Sequence, residues 1–264
     1  MKHTRTHRGT TMIGLLVTFA IIAILAAIIM SSMKGAVGGG GNTAVQKNQP
    51  TTHVDRENMR NIFQGMMTFA ISNNSRLPSP TLIANSRDKS IDTSANFWSA
   101  MIAEGLCRPQ QLISQNEQSD VVWLDDDYNA TSNPTAGLPW DTSFAANIDN
   151  STGKGYSNVS FAHEVLMGER FSRNWKAPSN SSYPILSNRG PKDGVPSTDS
   201  FTTGPGGSWA GNVVYADGST HFVATTMPDG SDNLFAVDGP FDGMDAILGF
   251  TSTISERGFD LIWD

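Results

Sequence analysis

Nineteen residues, Met12 to Met30, carry no charge and break their apolarity only at Gly14 and Thr18. Wound as a helix at about 1.5 Å per residue, the run reaches roughly 28 Å, close to the hydrocarbon thickness of a bilayer. Lys2, Arg5 and Arg8 precede it, and the first acid is Asp55. Basic flanks resist translocation, so the pattern predicts one transmembrane helix with a cytoplasmic tail and everything after Met30 outside. A removable signal peptide is the competing reading. Its apolar region is usually about 7–15 residues and closes on a small-x-small site. This run is longer and stays Ile- and Met-rich to its end, with Gly35-Ala36 as the one weak cleavage site.

The border before the run reads Arg8-Gly9-Thr10-Thr11-Met12-Ile13-Gly14-Leu15-Leu16. It resembles the type IV prepilin signature: a short basic leader, a Gly, then a long apolar helix. The resemblance implies cleavage by prepilin peptidase between Gly9 and Thr10 and N-methylation of Thr10. It also implies an assembly and membrane helix that opens with Thr11, Met12, Ile13, Gly14, Leu15 and Leu16. Two positions depart from the family. Thr10 stands where Phe or Met is usual, and Gly14 where Glu is usual. In the family that carboxylate is thought to offset a neighbouring subunit's amino-terminal charge, which would be costly unpaired in an apolar filament core. Its absence points to a minor pilin or pseudopilin rather than a repeating major subunit.

Beyond the run, Gly35-Ala36-Val37-Gly38-Gly39-Gly40-Gly41 disfavours a helix by about 1 kcal/mol per glycine. Residues 35–52 therefore read as a hinge closed by Pro50. From Asp55 to Ser72, Met59, Ile62, Phe63, Met66, Phe69 and Ala70 recur at three- and four-residue steps, which predicts an amphipathic helix with a core stripe. Asp55 and Glu57 suit its positive end. The stretch Asn58 to Pro78 is similar to the second half of the pilin helix and its Asn-x-x-Arg-x-Pro exit, as in bacterial prepilin-like proteins of the planctomycete type. Phe97 to Gly105 predicts a short helix, Val121 to Leu124 a strand, and Tyr156 to Leu166 a strand pair or a strand with a turn.

Asp217-Gly218 between Asn212–Ala216 and Ser219–Val223 predicts a tight β-hairpin, since Gly accepts positive φ and Asp tolerates it. Gly211 to Val223 resembles the Asn-Val-x-Phe-x-Asp-Gly segment near the C-terminus of the same subfamily. Residues 224–264 read as a tail with Gly-containing turns and a final apolar Phe259 to Trp263.

Composition excludes several classes of function. The chain has 264 residues with a net charge of -7, and three of its 18 basic residues lie in the leader. Such an acidic surface argues against nucleic acid as a partner. A single cysteine, Cys107, excludes an internal disulfide. Asp125-Asp126-Asp127 and the set Asp229, Asp232, Asp238, Asp242 and Asp245 read as solvated loops, with calcium as the alternative. His163-Glu164 reads as structural, because adjacent strand residues point to opposite faces and no third ligand is near. Gly206-Gly207-Ser208-Trp209-Ala210 falls one Gly short of a hydrolase nucleophile elbow and precedes a strand rather than a helix. No catalytic, cofactor or metal residues are assigned, and no enzyme activity is expected.

The resulting expectation is α+β and pilin-like: an N-terminal transmembrane helix, then an amphipathic helix on a small antiparallel sheet with long loops. Residues 1–9 are the leader, 10–34 the transmembrane and assembly helix, 35–52 the hinge and 53–264 an exported globular domain. The expected place is the cytoplasmic membrane, spanned once, with the C-terminal domain in the periplasm or outside the cell. The expected partners are prepilin peptidase, other pilin or pseudopilin subunits and the inner membrane. A membrane-anchored exported binding module that does not polymerise is the alternative.

Overall fold

The chain was analysed as a computed structural model, which describes residues 49–131, 137–149, 153–177, 181, 183–196, 201, 204–228, 232–238, 245–246, 248–255 and 258–262. All fall within one unit, Asn48–Asp264. The longest helix among the described residues, α1 (Gln49–Ser72), buries Met59, Ile62, Phe63, Met66 and Ala70 along one stripe. Pro50 lies in its first turn, where a missing N–H breaks no helical bond. The helix thus starts inside the segment read as a hinge. It ends at Asn73, whose side-chain amide donates to the Phe69 carbonyl at 2.8 Å. Phe69, expected in the core stripe, is only half-buried. Ten residues on from Met59, it sits about 80° round the helix from it, at the stripe's flank.

Three shorter helices follow: α2 (Pro80–Ile83), α3 (Ser94–Ala103) and α4 (Gly168–Asn174). Thr93 caps α3 by accepting from the Asn96 N–H, and Phe97, Trp98 and Met101 are buried on it. Of the strands, β1 (Ala146–Asn147) pairs with β2 (Tyr156–Ser157), and β7 (Val237–Asp238) with β8 (Asp245–Ala246). The other six are β3 (Phe161–Glu164), β4 (Pro184–Asn188), β5 (Gly211–Tyr215), β6 (Thr220–Val223), β9 (Leu248–Ser255) and β10 (Gly258–Ile262). They form one antiparallel sheet in the order β10-β9-β3-β4-β5-β6.

Register shows how the helices lie on this sheet. Phe161 faces Asn188, His163 faces Leu186, and Leu186 faces Val214, so these side chains share one surface. The Asn188 side chain reaches Asp55 of α1, and His163 reaches Ser94 of α3. Both helices therefore cover the same face, α1 over the β4–β6 side and α3 over β3 and β9. The intervening residues Ala162, Ser187 and Val213 are also buried, so the central strands are enclosed on both sides.

The expected architecture and location need correction. Among the described residues no helix is long and apolar enough to cross a membrane. The long helix among the described residues, α1, carries Asp55, Arg56, Glu57 and Arg60 and is apolar on a single face, which a sheet can cover but lipid cannot satisfy. The fold is α+β around a six-stranded antiparallel sheet, and neither the predicted membrane-spanning helix nor the single-pass placement in the cytoplasmic membrane stands on it. Gly9, Thr10, Thr11, Met12, Ile13, Gly14, Leu15 and Leu16, with the whole Met12–Met30 run, lie outside the described residues. The expected strand at Val121–Leu124 is reduced to a single bridge between Val122 and Ser157.

Candidate assembly surface and buried polar sites

The structure brings two sequence-predicted sites together: the core stripe of α1 and the Asp217-Gly218 turn. The turn has three loop residues. The Gly218 N–H donates to the Tyr215 carbonyl at 2.8 Å, and the Tyr215 N–H to the Ser219 carbonyl at 2.9 Å. Asp217 Oδ1 accepts from the Ser219 N–H at 2.9 Å and its hydroxyl at 2.7 Å. Those bonds hold the Asp217 carboxyl below the usual carboxylate range. Gly218 has φ 85°, the left-handed conformation that closes this loop. A Cβ there would lie 3.5 Å from the Phe63 ring. Between the turn and the outer flank of α1 runs an open cleft of about 380 Å³. Phe63 and Met67 supply its apolar lining, and Arg60, Gln64, Thr68 and Asp217 its polar lining.

Three buried polar clusters pin the elements behind this surface. Asp55, read from sequence as a helix-start charge, is 1 % exposed. It accepts from Ser114 Oγ, from the Gln115 N–H at 3.0 Å, and from the side-chain amides of Asn188 at 3.1 Å and Asn116 at 3.4 Å. Burial raises its pKa, and these bonds oppose that shift. The signal was present in the sequence: Asp55 stands four and seven residues before Met59 and Ile62, in phase with the stripe. Nearby, Arg189 and Glu117 form a buried bidentate ion pair at 2.8 and 3.2 Å. The loop carrying Ser114 to Glu117 is thus tied to α1 and to the end of β4 at once.

The third cluster surrounds His163, which is fully buried. Its Nδ1 lies 2.7 Å from the Glu164 carbonyl, and its Nε2 lies 2.8 Å from Ser94 Oγ. A neutral ring with the proton on Nδ1 donates to that carbonyl and accepts from Ser94. Ser94 Oγ in turn accepts from the Thr251 N–H at 2.8 Å. Desolvation pushes the His163 pKa down to about 4. Ser94, His163 and Thr251 are each at most 1 % exposed. The Ser–His pair is closed off from solvent and ties α3 to β3 and β9. Ser208, of the near-elbow motif, follows a short turn and precedes β5, so it occupies no strand-to-helix corner.

Among the described residues no group of three or more His, Cys, Asp or Glu is arranged to hold a metal ion. The calcium candidates have other settings. Asp125 is buried, and its pKa rises to about 6, first through desolvation and then through the hydrogen bond and charge of Asp127 and the charge of Asp141. Asp232 pairs with Arg170 at 3.3 Å, and Asp238 stands opposite Asp245 in the β7–β8 pairing. Asp229 and Asp242 lie outside the described residues.

No family model matches this chain, and neither does any curated protein or solved structure. The pilin-like resemblance rests on the sequence stretches 8–30, 58–78 and 211–223 alone.

Proposed function

We propose that the chain is a non-enzymatic pilin-like subunit, a minor pilin or pseudopilin of a type IV pilus or type II secretion-like filament. Prepilin peptidase cuts it between Gly9 and Thr10, and other pilin or pseudopilin subunits are its partners. The observation that carries this reading is the docking of α1 on one face of an antiparallel sheet, with the Asp217-Gly218 turn seated against Phe63. Two of the three stretches that resemble the family, distant in sequence, support one another there in space. The buried setting of the Ser94–His163 pair is in keeping with a structural role.

Co-expression with a prepilin peptidase tests the reading. The intact mass is expected to fall by residues 1–9, and Gly9→Val is expected to abolish the loss. An unchanged wild-type mass would count against it. The second reading, an exported binding module that does not polymerise, is favoured by the exposed Trp123 and Tyr156. Processed protein that never enters the sheared-filament fraction would select it.

A further inference from the structure

β6 is an outermost strand of the six-stranded sheet, paired on one side with β5. The Tyr215 N–H bond to the Ser219 carbonyl sets the hydrogen-bonded rungs at Tyr215–Ser219, Val213–His221 and Gly211–Val223. At the alternate positions Thr220 and Phe222 turn their N–H and C=O groups away from β5. No hydrogen bond reaches those four groups among the described residues. The sheet's other edge is guarded. β10 carries a register shift between Asp260 and Leu261 and the Asp260 carboxylate, both of which discourage pairing with a further strand. β6 makes four successive pairs without a shift, and Ser219 to Thr226 holds no acid, lysine, arginine or proline.

Beside this open edge runs space for side chains. Leu186, Val214 and Thr220 share the face that α1 covers, and Phe222, exposed, follows two residues on. Helix phase decides which flank of α1 looks over β6. At about 100° per residue, Gly65 lies on one flank, packed on the backbone of Leu106, which follows α3. Arg60, Met67 and Ile71 lie on the opposite flank, and Ile71 is 84 % exposed. The cleft between α1 and the Asp217-Gly218 turn is on that flank. Direction is fixed as well. Asp55 reaches Asn188, whose Oδ1 accepts from the Asn212 N–H at the start of β5, and Phe63 meets Gly218 beyond its end. α1 thus runs with β5 and against β6. A strand added antiparallel to β6 would pass Arg60 first, then Phe63 and Met67, with Asp217 at the turn end. Arg60 and Asp217 are the charged groups lining the cleft; one turn before Arg60, Arg56 and Glu57 offset one another.

The geometry points to a β-augmentation groove, formed by the open edge of β6 and the cleft beside it, for an extended segment of a partner protein. The segment pairs antiparallel with Thr220 and Phe222 and turns alternate side chains towards α1. An apolar one seats against Phe63 and Met67, with an acid two residues before it for Arg60 and a base two residues after it for Asp217. A row of backbone donors and acceptors at strand spacing selects an extended chain over a helix or a sugar. A second copy would bring its own β6, which carries neither acid nor base, so charge selects a different chain. The groove lies within the Asn48–Asp264 unit and does not depend on processing at Gly9.

The probe is a short blocked peptide in which glutamate, leucine and lysine, in that order, alternate with threonines, titrated into the full chain by calorimetry. It is expected to bind, and the reversed order of lysine, leucine and glutamate about tenfold more weakly. Directly opposed residues share a face, so the leucine that faces α1 also points its N–H at β6. N-methylation of the leucine is therefore expected to abolish binding, and N-methylation of the flanking threonines to leave most of it. Phe222→Pro removes an outward N–H without touching a β5 rung and is expected to weaken binding about tenfold, more than Phe222→Ala does. Melting temperatures verify that both variants fold, and the N-methylated peptides test the same backbone groups on the unaltered chain. No binding by the first peptide, equal binding by its reverse, leucine N-methylation without effect, or a folded Phe222→Pro variant that binds like the wild type would each overturn the inference. So would a concentration-dependent dimer in sedimentation that Phe222→Pro dissolves, since a second copy would then hold the edge.

Discussion

His163 and Asp125 pull stability in opposite directions as acid is added. The folded pKa of His163, about 4, lies below its ordinary 6.5. Between those values the unfolded chain takes up a proton that the folded chain refuses, so stability falls with pH, by about 3 kcal/mol in all. Asp125 is raised from 3.8 to about 6. In that window the folded chain holds a proton that the unfolded one lacks, so acid is stabilising through this group and the benefit is lost as pH rises through 6. The two contributions oppose one another between pH 6 and 4. Asp125→Asn is therefore expected to steepen the fall in melting temperature from pH 7 to pH 4; a profile that superimposes on the wild type contradicts the assignment. Asp55 presents a different case, in which the carboxylate organises donors that would otherwise be stranded. Asp55→Ala leaves Ser114, Gln115, Asn116 and Asn188 facing a void and is expected to cost about 3 kcal/mol, read from urea denaturation midpoints.

Elements in this molecule depend on where backbones approach one another, and two glycines show it. Gly65 lies inside α1, where helix propensity alone makes Ala better by about 1 kcal/mol. A Cβ there would run into the backbone carbonyl of Leu106, which a side-chain rearrangement cannot relieve. Gly65→Ala is expected to destabilise by about 1–3 kcal/mol, as overpacking does, and a gain on thermal unfolding would refute that contact. Gly218→Ala places a Cβ in the left-handed region at a cost of about 1 kcal/mol, and Gly218→Val costs more through Phe63. The helix stripe at Met59, Ile62, Phe63 and Met66 and the hairpin at Asp217-Gly218 were legible because each is a local pattern, a 3.6-residue period or a turn signal. The role of β9 was not. Residues 248–255 read as part of a turn-rich tail, yet β9 lies between β10 and β3 in the sheet, a pairing that depends on segments more than eighty residues apart. The phase of Asp55 with the stripe signalled its burial, but its partners were hidden for the same reason, since they lie 59 to 133 residues away.

At the scale of the whole molecule, the described body contains its own means of holding together. Its hydrophobic core runs from Met59 on α1 to Phe250 on β9, and the ties at Asp55, at Arg189–Glu117 and at His163–Ser94 all join residues within it. Folding of this body and entry into an assembly should then be separable properties. A chain starting at Asn48 is expected to unfold in one cooperative transition within a few degrees of the full-length protein, since about 1 kcal/mol shifts the midpoint of a domain this size by only about 2–4 °C. The same chain lacks Gly9 and Thr10, the proposed prepilin peptidase site, so under the proposed function it is expected to be missing from sheared filaments while remaining folded. Calorimetry of the fragment beside fractionation of cells that express it reads both properties together. A fragment that melts far below the full chain would show that residues 1–47 take part in the core. A folded fragment that still enters filaments would mean that subunits recognise one another through the α1-and-sheet body, with the cleft beside Phe63 and Met67 the first surface to mutate.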